Sequence, residues 1–196
     1  MKKIIVAVSG ASGAIYANRL VRWLVQNGHR VDFLISNPGR KVFELELGKP
    51  PKDQAGWRKF FNDRKGRLHY HAPDDFNSSL ASGSVKRDGM IVIPCSMGMI
   101  ARIAGGISSN LIERSADVTL KERRPLILVF REAPLSLIHL ENLAKLSRAG
   151  AILIPAAPGF YQRPKKIEDL VDGLLGRTLR QIGIENNLEK EWRDDG

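Results

Sequence analysis

An acid directly behind a basic residue, at the end of an apolar run, is a pairing that can do chemistry. In this chain of 196 residues Arg131-Glu132 follows Leu126 to Phe130 and precedes Ala133-Pro134. Upstream, Arg114 and Lys121 fall two turns apart on one face of a predicted helix. Cations so placed can hold a phosphate, and a neighbouring carboxylic acid can protonate the group that leaves. A solvated charged face, with Asp117 and Lys121 paired four residues apart, accounts for the helix as well. Tyr161 and Arg163, within Pro158 to Pro164, come after the last apolar run and so fall at the same edge, where a plain surface turn would also put them. Arg177, on the final predicted helix, reads no differently from any surface arginine.

Two glycine-bearing turns form a second group. Ser9-Gly10-Ala11-Ser12-Gly13 joins a strand to a helix, where backbone N–H groups converge on an anion or a polar ring edge. The spacing is G-x-x-G, too short for the dinucleotide pattern G-x-G-x-x-G. Ser36 ends the second strand where a ribose-binding acid is expected, which argues against NAD. Ser12 could equally be only the helix cap. Pro94-Cys95-Ser96-Met97-Gly98-Met99 repeats the arrangement after another strand. Cys95 reads as a buried small hydrophobe, since no base stands out to activate it. Of the four histidines only His69 and His71 are close in sequence, and no third ligand accompanies them, so no metal site is expected.

The elements that must position these residues alternate. Residues 3–8 read as a strand, and Ala14, Ala17, Leu20, Val21, Leu24 and Val25 as a helix face that Gly28 ends; Val31 to Ile35 is a second strand. Strands follow at 90–94, 126–130 and 151–155, with helices at 97–104, 108–121, 136–148 and 167–182. Continuous apolar strands suit a sheet covered on both faces. The expected fold is therefore a single α/β domain, a three-layer doubly wound parallel sheet. Residues 49–89 interrupt the pattern and read as a loop-rich excursion, with one strand at 67–71 and a mobile loop near the carboxyl ends of the strands; residues 184–196 read as a C-terminal tail.

Length and composition fit one globular domain, with 43% hydrophobic and 27% charged residues. A formal charge of +10 raises the question of nucleic acid. The basic residues are spread along the chain without an arginine-rich arm, which favours small anionic ligands instead. One cysteine excludes an internal disulfide and fits a reducing compartment. No run approaches the length of a membrane span, and the short apolar start meets Gly10, unlike a secretory leader; a cytoplasmic protein is expected.

Several motifs together resemble one family. Gly10-Ala11-Ser12-Gly13-Ala14, Pro94-Cys95-Ser96-Met97-Gly98, Asn110-Leu111-Ile112-Glu113-Arg114, Leu120 to Leu126, Arg131-Glu132-Ala133-Pro134-Leu135, Ile138 to Asn142 and Pro158-Gly159-Phe160-Tyr161 look like those of the UbiX-like flavin prenyltransferases. The likeness spans nearly the whole chain and is weakest over 49–77; Phe130 departs from the family by standing where proline is frequent. It implies a flavodoxin-like homo-oligomer, a dodecamer, with FMN between subunits. The implied reaction joins a dimethylallyl unit from dimethylallyl phosphate to N5 and C6 of reduced FMN, without a metal. The resulting prenylated FMN serves a UbiD-like decarboxylase in ubiquinone synthesis or aromatic acid metabolism.

Carried over by position, the resemblance assigns flavin contacts to Gly10, Ala11, Ser12, Ser36, Ser96, Met97, Gly98, Met99 and Arg131. Glu46 with Ser12 resembles a proton relay, and Glu132 the acid that assists phosphate departure. Lys121, Arg131, Tyr161 and Arg177 resemble the phosphate-binding set, Arg114 a supporting residue and Trp192 an aromatic near the site. Met97, Met99 and Trp192 are expected to shield an allyl cation from water. Cysteine decarboxylases of the same fold share the first turn but use a histidine and an Asn-rich motif not found here. A non-catalytic flavin carrier or decarboxylase subunit would need none of Glu46, Lys121, Glu132 and Arg177 together.

Overall fold

The computed structural model describes residues 1–189; Trp192 lies outside the described residues. Six parallel strands form one sheet: β1 (Lys3–Val8), β2 (Arg30–Ile35), β3 (Leu68–Tyr70), β4 (Gly89–Cys95), β5 (Leu126–Phe130) and β6 (Ile152–Pro155), in the order β3-β2-β1-β4-β5-β6. Seven helices accompany them among the described residues: α1 (Ala14–Gln26), α2 (Asn37–Leu47), α3 (Gln54–Phe60), α4 (Met97–Ala104), α5 (Leu111–Lys121), α6 (Leu137–Arg148) and α7 (Ile167–Gln181).

Alternate residues of β1 enter opposite layers, because successive side chains of a strand point to opposite faces. Ile4, Val6 and Val8 pack with Leu20, Leu24, Leu175 and Leu179 of α1 and α7, while Ile5 and Ala7 join Ile100, Leu111, Ile112 and Leu146 of α4, α5 and α6. Helices therefore cover both faces, and every residue of β4 is buried. The expected doubly wound single-domain architecture holds. No described helix is long and apolar enough to cross a membrane.

The stretch 49–89 is more ordered than its polarity suggests. Trp57 and Phe61 are fully buried, and Trp57 lies edge-on to Phe33 at 4.8 Å and to Phe43 at 5.5 Å. The Gln54 amide accepts from the Tyr70 N–H at 2.5 Å and donates to the Leu68 carbonyl at 2.7 Å, closing off the edge strand β3. Its other half is tied down by Asp32, a buried carboxylate on β2. Asp32 accepts from Arg87 Nε at 2.6 Å and meets His71 Nε2 at 2.9 Å, while His71 Nδ1 meets the Ser78 hydroxyl at 2.9 Å. Three aromatics set close together in a charged segment, and one acid inside an apolar strand, fasten what sequence alone presents as a loop.

Candidate active site

The strand order reverses direction between β1 and β4, and in open α/β sheets that is where the turns part to admit a ligand. Here the two turns are stitched at their base. The Ser9 hydroxyl donates to the Pro94 carbonyl at 3.1 Å and accepts from the Ser96 N–H at 2.8 Å. Ser96 caps α4, its hydroxyl accepting from the Met99 N–H at 3.3 Å, and Ser36 caps α2 by accepting from Gly39 N–H at 3.0 Å. The β1 and β2 turns touch each other: a Cβ on Gly10 would lie 2.7 Å from Pro38 Cβ, and one on Gly39 would lie 2.9 Å from the Val8 carbonyl.

Ser12 is not the cap of α1. That position belongs to Gly13, in the left-handed region at φ 118°, and the exposed Ser12 side chain lies beside it. The first N–H groups of the helix are met by Glu46 from the end of α2, which accepts from Gly13 at 3.0 Å and from Ala14 at 2.7 Å. A carboxylate thus occupies the helix N-terminus where a dinucleotide's pyrophosphate would sit, and it stands next to Ser12.

Met97 and Met99 correct one expectation. Their side chains are 4% and 1% exposed and belong to the core beneath α4, so within one chain they cannot wall off a reacting group. What the turn offers outward is backbone N–H, the Ser96 hydroxyl and Gly98. A Cβ on Gly98 would meet only Arg102 Nη1, at 3.6 Å, so the cradle is open. Cys95 is fully buried, and burial pushes its thiol far above the ordinary range, as suits the buried small hydrophobe expected of it.

Arg131 and Glu132 leave β5 next in order along the same edge, the Arg131 N–H donating to the Cys95 carbonyl at 3.2 Å. Both side chains are exposed. One strand further, the segment after β6 carries Tyr161. Its hydroxyl donates to Glu189 Oε1 at 3.0 Å; Arg177 Nη2 reaches the same oxygen at 3.2 Å, and Arg180 grips the second carboxylate oxygen. The bond to Glu189 raises the Arg177 pKa further above its ordinary value. Tyr161, Arg177 and Glu189 line a cavity of about 780 Å³ together with Arg163 and Lys165. Tyr161 and Arg177, both singled out from sequence, are thus together. Arg180 and Glu189 are additions: a pairing between a helix and the segment after it leaves no spacing signal.

Lys121 and Arg114 are elsewhere. Lys121 ends α5, bonds Glu122 at 2.9 Å, and stands before the start of β5, whereas Glu132 stands beyond its end. A five-residue strand separates those ends by roughly 16 Å. Arg114 donates to the Ala81 carbonyl at 3.0 Å and pairs with Asp117 at 2.7 Å, so the helix pairing is Arg114–Asp117 and not Asp117–Lys121. Among the described residues no group of three His, Cys, Asp or Glu side chains is gathered to hold a metal.

Open backbone at Gly98, hydroxyls at Ser12 and Ser96, and N–H groups from two turns at the switch point suit a flat heteroaromatic with polar edges, and a nearby cationic cluster suits a phosphate. The comparisons agree. A family model for flavoproteins matches residues 1–179, which sets the class. The flavin prenyltransferase UbiX of Halalkalibacterium halodurans is 46% identical over 191 residues, covering 97% of this chain and 93% of the relative. Among solved structures, AnUbiX (PadA1) in complex with FMN and dimethylallyl pyrophosphate superposes with a TM-score of 0.88 at 35% identity, covering 98% of this chain and 97% of the other. A dodecameric FMN-dependent UbiX-like decarboxylase from Escherichia coli O157:H7 gives 0.86 at 38% identity, with 97% and 99% covered. The chain belongs to the flavoprotein family and, within it, to the UbiX flavin prenyltransferases.

Proposed function

We propose that this protein transfers a dimethylallyl unit from dimethylallyl phosphate to reduced FMN, releasing phosphate and delivering prenylated FMN to a UbiD-like decarboxylase. The observation that carries the reading is the convergence of Tyr161, Arg177 and Arg180 on one anion, one strand away from the Arg131-Glu132 pair.

Reduced FMN supplies, when bound, the N5 and C6 positions that receive the five-carbon unit. Backbone N–H groups of the Gly10–Gly13 and Ser96–Met99 turns, with the Ser12, Ser36 and Ser96 hydroxyls and Arg131, hold its polar edges. Tyr161 and Arg177, with Lys121, hold the substrate phosphate and neutralise the charge that develops as the allylic C–O bond breaks. Glu132 donates a proton to the departing oxygen, which a carboxylic acid can do where cations already surround the phosphate. Glu46, beside Ser12, serves as the proton acceptor on the flavin side.

Because Lys121 lies at the far end of the sheet from Glu132 in one chain, it comes to the site from a second subunit. Exposed apolar side chains support such an assembly: Leu137, Ile138 and Phe160 are 70%, 68% and 70% exposed, next to Arg131-Glu132 and Tyr161 in sequence. A homo-oligomer, a dodecamer as in the Escherichia coli relative, would bury them. The single buried cysteine supports a cytoplasmic setting.

Anaerobic incubation with reduced FMN and dimethylallyl phosphate tests the reading: the flavin mass should rise by one C5H8 unit while phosphate appears. Unchanged flavin mass, with turnover of a carboxylated thiol instead, would replace prenyl transfer by cysteine decarboxylation.

A further inference from the structure

Glu189 is an acid with no part in the chemistry above, and it is 7% exposed. Its carboxylate takes two donors that the proposed function gives to the substrate, Tyr161 and Arg177, on one oxygen, and a third, Arg180, on the other. The chain is shaped to bring it there. The segment after α7 lies so close to the helix that a Cβ on Gly176 would fall 2.7 Å from Glu189 Cβ and 2.9 Å from its backbone nitrogen. Asn186 fixes the approach, its amide donating to the Gly176 carbonyl at 3.0 Å and accepting from the Leu188 N–H at 3.1 Å.

Resting on the phosphate-site reading, we infer that Glu189 is a resident anion that competes with the substrate's phosphate for Tyr161, Arg177 and Arg180. The Tyr161 hydroxyl has one proton and cannot serve a carboxylate and a phosphate at once, and a phosphate drawn to the two guanidinium groups is repelled by the carboxylate already between them. With the phosphate away, Glu189 pairs with two neighbouring guanidinium groups and offsets one of their two charges. A phosphate dianion that enters must displace it, and Glu189 returns when inorganic phosphate is to leave. The carboxylate weakens bare and allylic phosphates by the same factor, and an allylic phosphate offsets that loss by the burial of its five-carbon tail, about 0.8 kcal/mol per carbon group removed from water. A tethered competitor acts at an effective concentration of about millimolar or above, enough to weaken the apparent affinity of a free anion roughly tenfold.

The experiment is calorimetric titration of inorganic phosphate and of dimethylallyl phosphate into protein loaded with oxidised FMN. Glu189→Gln keeps the shape and removes the charge; Gly176→Ala evicts the carboxylate without altering any of its three donors. Flavin content and the thermal midpoint establish that each variant folds, and Glu189→Gln decides alone if Gly176→Ala does not. Both variants should bind inorganic phosphate about tenfold tighter than wild type, with product inhibition by phosphate strengthened and KM for dimethylallyl phosphate lowered in parallel. Phosphate binding that is unchanged or weaker in Glu189→Gln overturns the inference and makes Glu189 a strut for the arginines. Arg177→Met separates the underlying reading: if it binds dimethylallyl phosphate as wild type does, the phosphate site itself is misplaced, whatever Glu189→Gln has shown.

Discussion

Gly10→Ala should weaken flavin binding through a contact that no flavin atom makes. The added Cβ would lie 2.7 Å from Pro38 Cβ, on a ring that cannot rotate away. Carbon atoms rest at roughly 3.5–4.0 Å, so the β1 and β2 turns must part by about 1 Å. Gly39, where an added Cβ would lie 2.9 Å from the Val8 carbonyl, belongs to the same clasp and leaves little room for a sideways escape. Overpacking of this kind costs about 1–3 kcal/mol. If half falls on the arrangement that receives FMN, its Kd rises by roughly fivefold at the middle of that range. The assay is quenching of FMN fluorescence on titration with apoprotein. Pro38→Gly removes the clashing atom, so Gly10→Ala/Pro38→Gly should bind FMN within about threefold of Pro38→Gly alone. An affinity for Gly10→Ala within about twofold of wild type, or a double variant no better than the single, refutes the reasoning.

Gly98→Ala adds a Cβ into open space beside Arg102, so its thermal midpoint without flavin should match wild type while FMN affinity falls; an unchanged affinity would place the isoalloxazine away from that turn. Glu132→Gln should slow phosphate release by about 100-fold or more with FMN affinity retained, and loss of both would show that the acid binds flavin instead. Oligomers reassembled from equal amounts of Lys121→Met and Glu132→Gln subunits should recover about a quarter of wild-type activity, because a shared site draws one residue from each subunit; no recovery refutes the two-subunit site. Burial raises the Asp32 pKa, but the His71 hydrogen bond and the Arg87 charge outweigh it and bring the pKa down to about 2. A depressed folded-state pKa contributes stability above the unfolded value near 4 and loses it as pH falls toward 2, so wild type should lose about 2 kcal/mol over that window in urea titrations, and Asp32→Asn should lose much less.

Much of the fold is legible because its strands are continuous apolar runs separated by helical periodicity, and each run from 3–8 to 151–155 is a strand in the sheet. The helix α2 escaped that reading although its start was signalled, with Ser36 as cap and Pro38 just inside. In α3 the polar exterior of Gln54–Phe60 hides Trp57, whose burial depends on Phe33 and Phe43 from elements before it. The placement of the candidate residues was legible where a polar motif coincides with a turn: Gly10–Gly13, Ser96–Met99 and Arg131-Glu132 lie along one edge of the sheet. It was not legible where position depends on the third dimension. Lys121 and Arg131 are ten residues apart in sequence, yet a strand's length sets them at opposite ends of the sheet.

Glu46 and Glu189 share a logic that spacing cannot reveal. Each is a carboxylate from the chain itself, placed where the architecture would otherwise welcome an anion. One lies on the first N–H groups of α1, the other between Arg177, Arg180 and Tyr161. The helix-bound carboxylate accepts two backbone N–H groups that a competitor would have to satisfy again, so it closes the N-terminus of α1 to other anions. The other is held only by side chains, and an entering phosphate can take over every bond it gives up. The position at the start of α1 is thus closed by bonds to backbone, whereas the one at Glu189 is closed by side chains, of which Tyr161 and Arg177 line the cavity after β6.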